Sequence, residues 1–422
     1  MKVTVTPSAC SGSVKIPPSK SMSHRAILCA CLAPGVSHID NIAYSVDVQT
    51  TIEGMRALGA EIECYEHSLK INGIKDFNHL NASVINCNES GSTLRFFIPL
   101  FAATGQRDSF TGKNRLLKRP QKIYEDLFKA QGCFYEQDEH SITIEGALKP
   151  GNYTLPGNVS SQFISGLLFI LPLLEDDSRI HIENTFESKS YVLLTMQMLE
   201  EFGVQVSFED ENTLYIKGNQ HYHAHDTAVE GDFSQFAFFA VMAAINHDLD
   251  ILGVRHDSLQ GDKQILEIIK DFGITVKEIE GGYHVCKGEP HAHDIDLHNC
   301  PDLGPIVCTL AMASQGCTKI YNAGRLRIKE SDRILAMETE LRKFGCDISS
   351  SEDEIIIYGG MTQTPAALSG WKDHRIVMAL TVAAAIADHE VVIDEAEYIE
   401  KSYPAFFDDC RKVMIKVSEF HD

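Results

Sequence analysis

With 422 residues, 44% hydrophobic and 23% charged, the sequence has ordinary globular usage and enough chain for two substantial cores. Its net charge of −22 disfavours nucleic acid or an anionic membrane as a partner drawn in by long-range attraction, so an anionic small molecule would need a local basic pocket. No apolar run, "LLFILPLL" (167–174) included, can span a bilayer, and "MKVTVTPSAC" lacks an apolar signal core, so a soluble, unexported, cytoplasmic protein is expected.

From the N-terminus, the alternations "KVTVT" and "SVKIP" read as short strands. The stretch "PPSKSMSHRAIL" (17–28) then sets three hydroxyls and two fixed cations in front of an apolar run. That run is the first of six long apolar helices, which open at Ser21, Gly91, Ser161, Asp232, Asp302 and Asp373, at intervals of 70, 70, 71, 70 and 71. Each opens on Ser, Gly or Asp, residues suited to helix N-termini. Being apolar nearly all round, these helices belong inside a core. A second, amphipathic set opens at Arg119, Ser188, Gln260, Lys329 and Lys401, at intervals of 69, 72, 69 and 72. Two glycine markers share the period. One closes a helix, at Gly59, Gly132, Gly203, Gly273 and Gly345; the other ends a strand, at Gly73, Gly146, Gly218, Gly288 and Gly359.

Five complete markers in a chain six periods long leave a C-terminal copy without its last strands. The N-terminal "KVTVT" and "SVKIP" are expected to supply them, so that the first 18 or so residues pack with the last half of the chain. Six α/β units in two groups of three follow: a first domain over 19–227, and a second over 1–18 plus 228–422. Crossovers are expected near 16–19 and 226–230, where "VEGD" marks the second.

Equivalent helix N-termini should converge within each domain, and their free N–H groups and dipoles favour phosphate or carboxylate. Lys20, Arg25, Arg95, Arg119, Lys329, Arg333, Arg375 and Lys401 all lie within one or two turns of such starts. The dipole disfavours cations there, so an acidic chain that gathers its bases at one repeat phase points to an anion site. Twelve cysteines without a CxxC pair read as reduced thiols. The histidine-rich "HYHAHD" (221–226) and "PHAHD" (290–294) read as solvated loops, and Trp371 as a core filler.

The motifs "PPSKSMSHRA", "ESGSTLR", "RPQ", "SSQF", "SKSY", "VEGD", "KESDR", "DHR" and "EKSYP" occur in the order seen in the 5-enolpyruvylshikimate-3-phosphate (EPSP) synthases. The chain resembles that family from about residue 3 to residue 415. The resemblance implies an α/β fold of two domains, the inside-out α/β barrel of the enolpyruvyl transferases, with six similar units and an active site in the cleft between the domains. It also implies transfer of the enolpyruvyl group of phosphoenolpyruvate to the 5-hydroxyl of shikimate 3-phosphate. Phosphate is released through a tetrahedral intermediate, in the shikimate route to chorismate and the aromatic amino acids. The attacking hydroxyl must lose a proton and the methylene carbon of phosphoenolpyruvate must gain one.

Carried over by position, the resemblance makes Asp302 the group that deprotonates the hydroxyl and Glu330 the acid that protonates the methylene. Lys20 would lie between the substrates, and His374 would relay or support proton transfer. Arg333 and Arg375 would hold the phosphoenolpyruvate carboxylate; Arg119, Lys401 and the Gly91 backbone would hold its phosphate. Ser160, Ser161, Ser188 and Lys329 would grip the shikimate phosphate, and Ser21 and Arg25 its carboxylate. Gln162 and Tyr191 would line the ring, whereas Arg95 and Arg325 carry no assigned role. Glu89 and Arg325 stand where the family commonly has Asn, and Pro18 where it commonly has Gly. No cofactor and no metal are expected. The partners are the two small substrates, with no nucleic acid and no membrane; a monomer that closes on ligand is expected. One rival is a UDP-N-acetylglucosamine enolpyruvyl transferase, whose reactive loop cysteine has no counterpart in "GKNRLLK" (112–118). The other is a catalytically silent metabolite-binding homologue, which could dispense with Asp302 and Glu330.

Overall fold

A computed structural model describes residues 1–78 and 80–420. The chain divides into two compact units, a terminal unit (Met1–Pro17 with Glu230–Asp422) and a central unit (Pro18–Val229). Each has its own hydrophobic core.

Among the described residues twelve α-helices alternate with strands along the chain. In the central unit they are α1 (Lys20–Leu32), α2 (Val46–Ala57), α3 (Gly91–Phe101), α4 (Lys122–Ala130), α5 (Ser161–Ile170) and α6 (Lys189–Glu201). The terminal unit holds α7 (Phe233–Ile245), α8 (Ile265–Asp271), α9 (Gly304–Met312), α10 (Arg333–Arg342), α11 (His374–Ala384) and α12 (Phe406–Lys412). The odd-numbered helices are the apolar set. Every residue of α9 and α11 is buried, and α1 is buried without a break from Met22 to Leu32. By contrast, α4 buries only Tyr124 and Phe128.

Among the described residues six four-stranded sheets accompany the helices, and every one has the same plan of one parallel pairing followed by two antiparallel ones. Their strands alternate buried and exposed, as Val36–Asp40 does. One face therefore packs on the apolar helices and the other meets water. Each unit thus places helices inside and open sheets outside, the layer order that the term inside-out barrel describes; among the described residues no sheet closes on itself.

The repeat markers have physical causes. Gly59, two residues past α2, and Gly345, three past α10, adopt left-handed φ values of 111° and 75°, the conformation that ends a helix with least strain when no Cβ is present. The strand-end glycines answer a different need. A Cβ on Gly73 would lie 2.0 Å from the carbonyl oxygen of Ala33, and one on Gly359 would lie 1.8 Å from that of Ser314. Both strands end against the C-terminus of an apolar helix.

Two expectations are corrected. Strand Lys2–Thr6 does complete the last sheet, lying between Val391–Ile393 and Lys416–Phe420. Strand Ser13–Lys15 instead pairs with Leu249–Leu252 in the fourth sheet, with Val14 and the following Ile16 buried in the core of the terminal unit. The amphipathic helices also begin later than their basic residues suggest. Arg119, Lys329 and Lys401 each close a short 3-10 turn (Leu116–Lys118, Gly324–Ile328, Ala396–Lys401), three to five residues ahead of α4, α10 and α12. Each basic side chain therefore leaves a bend, not a helix surface.

Val3 and Val5 of the first strand are 0% exposed, so the N-terminus is an interior part of the last sheet. Deleting residues 1–12 is expected to abolish the cooperative unfolding of the terminal unit while leaving that of the central unit. Urea unfolding followed by intrinsic fluorescence checks this, and an unchanged transition would contradict the role given to the strand.

Candidate active site

In the central unit the caps come first. Ser19, Ser90 and Ser160 accept from backbone N–H groups of Met22, Thr93 and Gln162 at the starts of α1, α3 and α5. The expected site residues sit on these starts and touch one another. The Arg95 guanidinium donates to Gln162 Oε1 at 2.7 Å and to the Pro120 carbonyl at 3.2 Å, and Gln162 Nε2 donates to Ser92 at 2.9 Å. Arg25, 2% exposed, donates to Thr195, to the Ser21 carbonyl and to the Tyr191 carbonyl at 2.7–2.9 Å. Arg25 and Arg95 therefore brace α1 on α6 and α3 on α5, a role the sequence reading did not assign to either. Lys20 Nζ donates to Asp47 Oδ2 at 2.8 Å.

Gly91 and Arg119 share a space: a Cβ on Gly91 would lie 2.6 Å from Arg119 Nη1. The glycine admits a guanidinium, not only a ligand. Ser161 is the first residue of α5 and is buried. Ser188 precedes α6 at φ 54°, a left-handed conformation that costs a serine about 1–3 kcal/mol and is seen most where function demands it. Glu89 accepts from the side chain of Asn114.

The terminal unit gathers a denser charge cluster. Asp232 and Asp373 cap α7 and α11, but Asp302 breaks the pattern. It lies in the 3-10 turn Pro301–Leu303 ahead of α9, whose N-cap position is Leu303. Its carboxylate instead takes Arg375 Nη2 at 3.0 Å, Arg333 Nη1 at 3.2 Å and Lys329 Nζ at 3.4 Å. Arg333, 1% exposed, also reaches Asp373 at 2.9 Å and Glu330 at 2.8 Å, and Lys401 Nζ lies 3.7 Å from Glu330. Ser234, at the start of α7, accepts from Arg375 at 3.1 Å. His374 is 1% exposed with Nδ1 at 3.6 Å from Asp373. Arg325 donates to the His298 carbonyl at 2.6 Å.

Arg333, Arg375, Lys329 and Lys401 thus face Asp302, Glu330 and Asp373 in one cluster. Burial would raise the Asp302 carboxyl, but Arg375, Lys329 and Arg333 outweigh it and hold the group well below its ordinary range. Burial pushes the Lys329 ammonium down to about 8, against the pull of Asp302. Such a cluster can grip anions and offers carboxylates for proton transfer.

A family model for EPSP synthase (3-phosphoshikimate 1-carboxyvinyltransferase) matches residues 5–410. The chain belongs to the EPSP synthase family. The 3-phosphoshikimate 1-carboxyvinyltransferase of Clostridium kluyveri is 44% identical over 99% of this chain and 98% of its own length. That of Clostridium perfringens strain SM101 is 44% identical over 98% of each. Among solved structures, EPSP synthase from Acinetobacter baumannii superposes with a TM-score of 0.81 at 26% identity, covering 99% of this chain and all of that one. The enolpyruvyl transferase NikO from Streptomyces tendae has the same fold, with a TM-score of 0.78 at 14% identity over 99% of this chain and 98% of its own.

Against this family background, the sequence reading missed the residues that hold the charged groups in place. Asp47 anchors Lys20. Asp373, 0% exposed, accepts from Arg333, from the Ser331 hydroxyl at 3.0 Å and from the backbone N–H of Arg375 at 3.0 Å. A buried chain of hydrogen bonds runs from His24 through Thr51 and Thr93 to Ser90, each link 2.7 Å. Burial pushes His24 down to about 3, so it is neutral. The one available signal was phase: Asp373 shares the repeat position of Asp232 and Asp302.

Proposed function

We propose that the chain transfers the enolpyruvyl group of phosphoenolpyruvate to the 5-hydroxyl of shikimate 3-phosphate and releases inorganic phosphate. The observation that carries this reading is Asp302, a carboxylate surrounded by Arg333, Arg375 and Lys329. It stands within a family whose relatives bear this activity in their names.

In this reading Asp302 takes the hydroxyl proton, Glu330 protonates the methylene carbon, and Lys20 stabilises charge on the departing phosphate. Arg333 and Arg375 hold the carboxylate of phosphoenolpyruvate, which must take the place of Asp302 or Glu330 at their guanidinium edges. Arg119, Lys401 and the Gly91 backbone take its phosphate. Ser160, Ser161, Ser188 and Lys329 take the phosphate of the acceptor, Ser21 and Arg25 its carboxylate, and Gln162 and Tyr191 its ring, with His374 in support of proton transfer. The substrates are two small molecules, and the protein acts as a cytoplasmic monomer that needs no cofactor.

Phosphate release from phosphoenolpyruvate by the purified protein tests the proposal. Release is expected with shikimate 3-phosphate and none with UDP-N-acetylglucosamine. Release with the nucleotide sugar would assign the chain to the rival transferase, and binding without release would make it a silent homologue.

A further inference from the structure

On the water-facing side of the fourth sheet, the pairing register sets Asp250 opposite His284 and Leu249 opposite Val285. Continuing that register places Asp248 opposite Cys286. Because side chains alternate across a strand, all four polar side chains share one face while Leu249, Ile251, Tyr283 and Val285 fill the core. One ligand atom each from Asp248, His284 and Cys286 lies within 4.8 Å of the other two.

The surroundings orient each ligand atom. His284 Nδ1 is 2.6 Å from Asp250 Oδ1, which fixes the proton on that nitrogen and turns the Nε2 lone pair outward. Nε2 lies 3.6 Å from Asp248 Oδ2, long for a hydrogen bond. Nitrogen and oxygen ligands on a tetrahedral zinc ion sit about 3.3–3.6 Å apart. The other carboxylate oxygen, Asp248 Oδ1, accepts the backbone N–H of Lys287 at 2.6 Å, which leaves Oδ2 facing the histidine. A carboxylate behind the histidine and a backbone donor behind the aspartate are the supports metal ligands ordinarily have.

We propose that Asp248, His284 and Cys286 form a binding site for a borderline-soft divalent cation of the zinc type. The mixed oxygen, nitrogen and sulfur set suits Zn²⁺ or Co²⁺ and not Mg²⁺ or Ca²⁺, which take oxygen ligands. Three protein ligands leave a fourth position to water. The site shares no residue with the anion cluster, and the histidine-rich stretches 221–226 and 290–294 contribute none of its ligands. Bound metal would tie the turn after α7 to the end of the neighbouring strand.

The test is titration of the metal-free, full-length protein with Co²⁺, read by visible and near-ultraviolet absorption, with Zn²⁺ binding read by thermal unfolding. The wild type is expected to give the d–d bands of tetrahedral cobalt with a thiolate charge-transfer band, and Zn²⁺ but not Mg²⁺ should raise its unfolding temperature. Cys286→Ser should lose the charge-transfer band and His284→Ala the d–d bands. Asp250→Asn, which removes only the support behind the histidine, should weaken binding about 10–100-fold. These side chains lie on the water-facing side of the sheet, so the metal-free variants should unfold at the wild-type temperature, which keeps the loss of bands attributable to the ligands. Absence of bands in the wild type, or full bands in both His284→Ala and Cys286→Ser, would overturn the proposal.

Discussion

Replacing Arg333 with methionine is expected to destabilise the terminal unit by about 3–5 kcal/mol near neutral pH, the usual consequence of removing one partner from a buried ion pair. Methionine keeps an unbranched apolar side chain but leaves the acidic partners without their shared cation. Asp302 retains Arg375 and Lys329, and Glu330 retains Lys401. Asp373 loses more: it is fully buried, and Arg333 is its bidentate partner through Nε at 2.9 Å and Nη2 at 3.3 Å. The pH dependence has a definite sign. Asp302 is held below its ordinary value of 3.8, so in the wild type it adds stability above that pH and loses it as pH falls through the lower folded value. Removing Arg333 raises that folded value, and protonation then relieves the crowded carboxylates. The gap between wild type and variant should therefore keep its full size from neutrality down to about pH 4 and narrow from there toward about pH 2. Urea midpoints across that range are the measurement, and an equal deficit at both ends would mean that lost packing, not charge, is responsible.

How far the sequence reaches follows from which contacts leave local traces. The period of about 70 residues was legible because helix ends and strand ends impose backbone requirements only glycine meets easily, as at Gly345 and Gly359. The apolar helices were legible because burial on all sides demands apolar residues throughout. The convergence of their N-termini followed from the repeat itself. Pairings between units of the repeat left no such trace. Strand Ser13–Lys15 alternates as any strand does, and nothing local states that its neighbour is Leu249–Leu252. The cations were visible as a class, but Arg25 and Arg95 are largely committed to holding helices together while Arg333 and Arg375 face carboxylates. Those fates depend on residues tens of positions away. Asp373 and Asp47 were hidden for the same reason: a capping aspartate and a first-turn aspartate look ordinary until a distant cation is placed against them.

Asp302→Asn is expected to lower turnover about 10²–10⁴-fold, the range for loss of a positioned proton acceptor, while tightening the hold on anions. The ground state explains both effects. With three cations around it, the Asp302 carboxylate has little affinity for a proton, and a base of that kind is a poor match to a hydroxyl. Substrate phosphate and carboxylate groups that draw Arg375, Lys329 and Arg333 toward themselves raise that affinity when it is needed. Asparagine keeps the shape and much of the hydrogen bonding, but it neither accepts the proton nor competes for the cations. Turnover falls, and the dissociation constant of an anionic substrate should fall with it. The pH profile supplies an independent readout. Lys329, pushed down to about 8 chiefly by burial, carries its charge below that pH and loses it above, so kcat/KM of the wild type should decline on the alkaline side from about pH 8. Asp302 supports the lysine charge, and removing that support should move the alkaline limb of the variant to lower pH. If the limb stays in place, or if anion binding weakens instead of tightening, Asp302 is not the internal competitor for these cations, and its part in catalysis must be sought in geometry alone.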